Sequence, residues 1–117
     1  MPQPPTVLVN PVTKTCNPDT VNITRAHGQG VAIFFEIDPA AGNGWRWSQN
    51  PNPIVVQAED GKFSDGGHPG GNGKGRIRLL NRNLPGDAGS YKYTAALVQD
   101  GASQPTIIDP YIQNETW

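Results

Sequence analysis

Apolar and polar residues alternate along this chain in runs too short for helices. Thr6 to Val9 places Val7 and Val9 on one side and Leu8 on the other, directly after the leader Met1-Pro2-Gln3-Pro4-Pro5, whose prolines cannot pair inside a sheet. Thr20-Val21-Asn22-Ile23-Thr24 repeats with period two and precedes Gly28-Gln29-Gly30, which predicts a short edge strand and a turn. Val31 to Ile37 is the most apolar run; its β-branched and aromatic residues predict a central strand that carries the core. Trp45-Arg46-Trp47 resumes after a glycine-rich turn, with both rings on one face and Arg46 on the other. Ile54 to Gln57, a brief segment at Phe63, and Arg76 to Leu80 follow as further short strands. Ser90 to Val98 sets Tyr91, Tyr93, Ala95 and Leu97 on one face and Lys92, Thr94, Ala96 and Val98 on the other. Asp100-Gly101 signals a hairpin, and Thr106 to Ile108 with Tyr111-Ile112 forms a closing strand bent at Asp109-Pro110. Seven to nine short antiparallel strands at roughly ten-residue spacing predict an all-β sandwich.

Composition narrows the picture without naming a function. The 117 residues suit one domain, 1–117, with a flexible leader over 1–5. Fourteen glycines and twelve prolines argue against long helices, and six of the glycines fall between 64 and 75, where a mobile loop is expected. A net charge of -1 predicts neither a nucleic-acid partner nor an anionic membrane. Cys16, the single cysteine, predicts no internal disulfide and no multi-cysteine metal site, and is expected in an Asn-Pro loop. No apolar run reaches the length of a signal peptide or a membrane span, so a soluble, cytoplasmic chain is expected, with a secreted mature form left open. The sequons at Asn22 and Asn114 read as chance occurrences in a polar chain.

Asp87-Ala88-Gly89-Ser90-Tyr91-Lys92-Tyr93 resembles the D-x-G-x-Y-x-C signature of immunoglobulin-like domains, with Tyr93 in the place of the cysteine. The resemblance implies an immunoglobulin-like sandwich in which the Tyr91 hydroxyl bonds back to the corner between Leu84 and Asp87, Asp87 and Gly89 shaping that corner. It also implies that Phe34 or Phe35 stands opposite Tyr93, and that Trp45 or Trp47 is the tryptophan between the sheets. The segment Gly89 to Ala95 is similar to the G-x-Y-x-Y-x-C strand of cupredoxins, but Ala95 replaces the cysteine and no histidine follows position 68, so copper binding is not expected. Tyr91-Lys92-Tyr93, Gln99-Asp100-Gly101 and Ile108-Asp109-Pro110-Tyr111-Ile112 together resemble small uncharacterised bacterial proteins sometimes called the DP-EP family, which implies no known activity.

Candidate chemistry is sparse. Gly73-Lys74 resembles the end of a P-loop, but His68 occupies the place of its first glycine and Gly75 that of its hydroxyl residue. His27 and His68 are the only imidazoles; His68 with Asp65 is the one pair that could serve a metal-dependent enzyme. Glu36 and Asp38 share a strand face, and either could bond a sugar or a cation. No nucleophile with a base can be assembled, so no catalysis, metal or cofactor is expected. Trp45, Arg46 and Trp47 form either a stacking platform for a carbohydrate or, with both rings turned inward, part of the core. Tyr111 and Trp117 could extend an apolar patch along the closing strand. With only Lys14, Lys62, Lys74 and Lys92 to guard its edges, the chain is expected to be a binding or assembly module forming a homo-oligomer through a sheet edge or face. A glycan ligand at Trp45 and Trp47 is the second reading.

Overall fold

The computed structural model describes residues 4–49, 51–58, 61–67 and 73–115. Two mixed sheets pack face to face. In the first, β2 (Thr15–Asn17), β1 (Thr6–Asn10), β4 (Val31–Ile37), β8 (Ile77–Asn81) and β7 (Phe63–Asp65) lie side by side in that order. In the second, β10 (Thr106–Ile108), β9 (Gly89–Gln99), β11 (Tyr111–Asn114) and β3 (Thr20–Ile23) are joined by β5 (Trp45–Trp47) and β6 (Ile54–Val56), which both pair with β9. Short 3₁₀ turns stand at Arg25–His27, Pro39–Ala41 and Pro85–Asp87.

The all-β sandwich without a disulfide is what the alternation predicts, and β4 holds the central place expected of the most apolar run. The strand count and two of the pairings differ. Pro110 divides the expected single closing strand into β10 and β11, whereas β5 and β6 are the two separate strands expected on either side of Pro51 and Pro53. The Pro110 carbonyl still accepts the Tyr93 N–H at 3.0 Å, so the strand bends while the ladder keeps that bond. β1 runs parallel to β4, and β3 parallel to β11. Parallel neighbours need a crossover between them, and the chain supplies one by passing from β2 in the first sheet to β3 in the second.

The inward faces repeat every second residue. Val7, Val9, Ile33, Phe35, Ile77 and Leu79 from the first sheet meet Val21, Ile23, Tyr91, Tyr93, Ala95, Leu97 and Ile112 from the second, all within 8% of full burial. Phe35, not Phe34, faces Tyr93, edge to face with ring centroids 5.3 Å apart. Phe34 points outward, where the Arg76 guanidinium lies 4.0 Å from its ring centre.

The expected loop over 64–75 begins inside a strand, since Ser64 and Asp65 belong to β7. Gly66 then ties the two sheets together: its carbonyl accepts the Ile54 N–H at 3.0 Å and its N–H donates to the Arg78 carbonyl at 2.8 Å. Its φ is +91° and a Cβ there would stand 2.8 Å from the Ile54 carbonyl oxygen, so only glycine fits. Residues 68–72 lie outside the described part of the chain.

Candidate functional site

The long strand β9 organises the outer face of the second sheet. Its odd residues from Tyr91 to Leu97 fill the core, so Lys92, Thr94 and Val98, each partly exposed, face away from it, while Ala96 between them is itself fully buried. Strand register then fixes their neighbours: Tyr111 opposite Lys92, Val55 opposite Thr94, Ile107 opposite Ala96, and Arg46 opposite Val98. Tyr111, Val55 and Ile107 are 45%, 42% and 42% exposed, and they are three of the four large apolar side chains that the described residues leave open to water. The fourth, Val12, sits apart in the β1–β2 turn. Ala96 is held on its outer edge by main-chain bonds, donating to the Pro53 carbonyl and accepting from Ser48 N–H. The Arg46 guanidinium bonds the Asp100 carboxylate at 3.1 Å where both side chains are about half open. The result is an apolar strip, narrow at Thr94 and Ala96, with Lys92 near one end and the Arg46–Asp100 pair at the other.

Trp45 and Trp47 turn inward, 8% and 1% exposed, and Arg46 between them points out. The Trp47 indole N–H donates to the Gly75 carbonyl at 2.8 Å, fixing the ring within the core. Neither ring offers a face on which a sugar could stack; this is the packing arrangement of the two considered. Beside Trp45 an open depression of about 150 Å³ is lined by Ile37, Asp38, Pro39, Asn43 and Lys74. The Asp38 carboxylate is occupied in capping the following turn, accepting the Ala40 N–H at 2.9 Å.

Cys16 is not in a loop. It occupies the middle of β2 and is buried, because the Asn10 side-chain carbonyl accepts the N–H groups of Val12 and Thr13, and Lys14 adopts φ 59°, closing a tight turn that returns the chain against β1. Burial pushes its thiol up to about 11, only partly offset by the facing Tyr93 hydroxyl, so it is a poor nucleophile. His27 is part of a turn: its Nδ1 accepts the Thr24 N–H at 3.0 Å. His68 and Trp117 lie outside the described residues, and of Asp65 only the main chain, at the end of β7, is described. Among the described residues no group of three histidine, cysteine or acidic side chains converges, and no helix is long and apolar enough to cross a membrane.

The corner at the start of β9 is built as its signature suggests. The Tyr91 hydroxyl donates to the Asp87 carbonyl at 2.7 Å, and Gly89 adopts φ +142°, a conformation that disfavours any side chain. What the motif does not disclose is a buried polar network around it. Asn81 and Asn114, each within 1% of full burial, exchange side-chain amide bonds of 2.7 and 3.2 Å, and Asn114 also donates to the Asp87 carbonyl at 3.1 Å. The Arg82 guanidinium grips the Asp87 carboxylate at 2.9 and 2.6 Å while the Leu84 N–H donates to the same carboxylate at 3.0 Å. Those bonds, led by Arg82, hold the Asp87 carboxyl down to about 2 against the opposing effect of burial. Asn83, at φ 49°, donates to the carbonyls of Thr24 and Gly28 and so clamps the β3–β4 connection. Asn114, its amide fully engaged here, is closed to glycosylation in the folded chain, whereas Asn22 is exposed.

Compared with family models, curated proteins and solved structures, the chain matches none.

Proposed function

We propose that this protein is a non-catalytic assembly module that associates with further copies of itself through the outer face of its second sheet. That three of the four exposed large apolar side chains among the described residues, Tyr111, Val55 and Ile107, share that one face carries the reading, because exposed apolar residues gathered on one face mark contact sites. The alternative route, pairing at a sheet edge, has little backbone to work with. The end strands β2, β7 and β10 are three residues long and β3 four, and prolines at 105 and 110 flank β10. Sedimentation across micromolar to millimolar concentration is the test. The expected result is a reversible oligomer that Ile107→Lys dissociates while leaving circular dichroism unchanged; a strictly monomeric wild-type chain removes the proposal.

The sandwich itself we read as related in architecture, not in activity, to the families it resembles. The Tyr91 corner supports the immunoglobulin-like likeness. The parallel pairings depart from the two antiparallel sheets of that fold and stand closer to the mixed sheets of cupredoxin-like sandwiches, here with Ala95 where copper ligation needs cysteine.

A further inference from the structure

We infer that two copies mate face to face with their β9 strands antiparallel, Lys92 of one copy reaching Asp100 of the other across a twofold axis that passes over Ala96. The inference rests on the assembly reading above and adds the register. A twofold interface brings one surface against itself, so the surface must be complementary to its own rotated image. Along β9 the charges are unevenly placed: Lys92 lies toward one end, and Asp100, bonded to Arg46, at the other. A twofold axis parallel to the strand would set Lys92 against Lys92 and Asp100 against Asp100. An axis lying across the strand reverses its direction and sets each Lys92 beside the partner's Arg46–Asp100 pair, opposite charges meeting at both ends.

The apolar middle fits the same operation. Ala96 is equidistant in sequence from Lys92 and Asp100 and is itself fully buried, so the axis crosses above it and the contact there is made by the exposed Ile107 beside it. Ile107, in register with Ala96, then meets its own counterpart. Val55, in register with Thr94, lies over the aliphatic stem of the partner's Arg46, which is in register with Val98 on the same side of β9. The face extends about 35 Å along β9 and about 15 Å across its strands, at the small end of specific interfaces, so a dimer dissociating in the micromolar range is expected.

Charge exchange tests the register. Lys92→Asp and Asp100→Lys are made separately, and folding is verified by circular dichroism and thermal midpoint. Each alone is expected to weaken self-association at least tenfold, because like charges then face each other twice. Mixed in equal amounts they are expected to form a heterodimer near wild-type affinity, since both carboxylates of the Lys92→Asp copy then face the two ammonium groups of the Asp100→Lys copy. Should Asp100→Lys unfold through the change beside Arg46, the milder Lys92→Gln and Asp100→Asn serve instead, each expected to weaken association several-fold and to flatten its dependence on salt. A wild-type dimer combined with single variants that associate as tightly as it does, or with a mixture that stays monomeric, overturns the register and leaves the assembly reading standing. A wild-type monomer at millimolar concentration overturns both.

Discussion

Tyr91 and Tyr93 stand two residues apart on the same inward face of β9, and their hydroxyls meet opposite fates. At the corner, the chain leaves the sheet through a 3₁₀ turn, so main-chain carbonyls point inward and Tyr91 reaches Asp87 at 2.7 Å. In the middle of the sandwich, main-chain groups are consumed by the ladders on both edges of β9, and the Tyr93 hydroxyl is buried with no hydrogen-bond partner of good geometry. Only the weakly donating Cys16 thiol faces it, and burial raises the phenol far above its ordinary range. The ring is retained in packing against Phe35. Of the two hydroxyls, the one beside the turn finds a carbonyl and the one in mid-strand does not, although a turn is no guarantee, since the buried Asn83 Oδ1 is also without a partner.

The contrast predicts a graded series. Asn114→Ala should cost most, about 3 kcal/mol in urea unfolding, because it leaves the buried Asn81 amide without either of its exchanged bonds. A loss below about 1 kcal/mol would show that water replaces the amide and that the corner is not a closed network. Asp87→Asn should cost about 2 kcal/mol and also change the response to acid. With the folded carboxyl lowered from 3.8 to about 2, its contribution is complete above the unfolded value and is lost as pH falls through the folded one. Wild-type stability should therefore decline between pH 4 and 2 more steeply than that of the variant, and parallel slopes would remove Arg82 as the cause.

Tyr91→Phe should cost about 1 kcal/mol, since the Asp87 carbonyl keeps its bond from Asn114 when the hydroxyl is gone and the half-buried Lys62 ammonium, which donates to that hydroxyl at 3.3 Å, can turn to water. A double variant with Asn114→Ala should accordingly lose more than the two singles together. Tyr93→Phe sharpens the comparison by its smallness: removal of an unpartnered buried hydroxyl should leave the unfolding midpoint unchanged or raise it slightly. A loss matching that of Tyr91→Phe would mean that Cys16 bonds the hydroxyl as well as a carbonyl does.

Much of the sandwich is legible in the sequence because period two is a local property. Val31 to Ile37, Ser90 to Val98 within the observed Gly89–Gln99, and the bent closing strand all follow from it. β2 is hidden because the three residues between Lys14 and Pro18 hold no repeat, and its pairing depends on the turn at Asn10. The Asn81–Asn114 pair is hidden for a different reason, asparagine being read as a turn residue wherever it occurs. Parity offered a signal, since Ile77, Leu79 and Asn81 share one face of β8, and Ile112 and Asn114 one face of β11. Parity also bears on the outer face. Consecutive apolar pairs such as Val55-Val56 and Ile107-Ile108 cannot both point inward from one strand, so one member of each must face away from the core.

The parallel pairing of β3 with β11 has a consequence in time. Thr20 to Ile23 are synthesised long before their ladder partner, Tyr111 to Asn114. Until then β3 presents Val21 and Ile23 to water, and β9 awaits the strand that lies between it and β3. Contacts so distant along the chain make closure of the second sheet slow and late, and the nascent protein spends that interval with one apolar sheet unfinished and open to association with other unfinished chains.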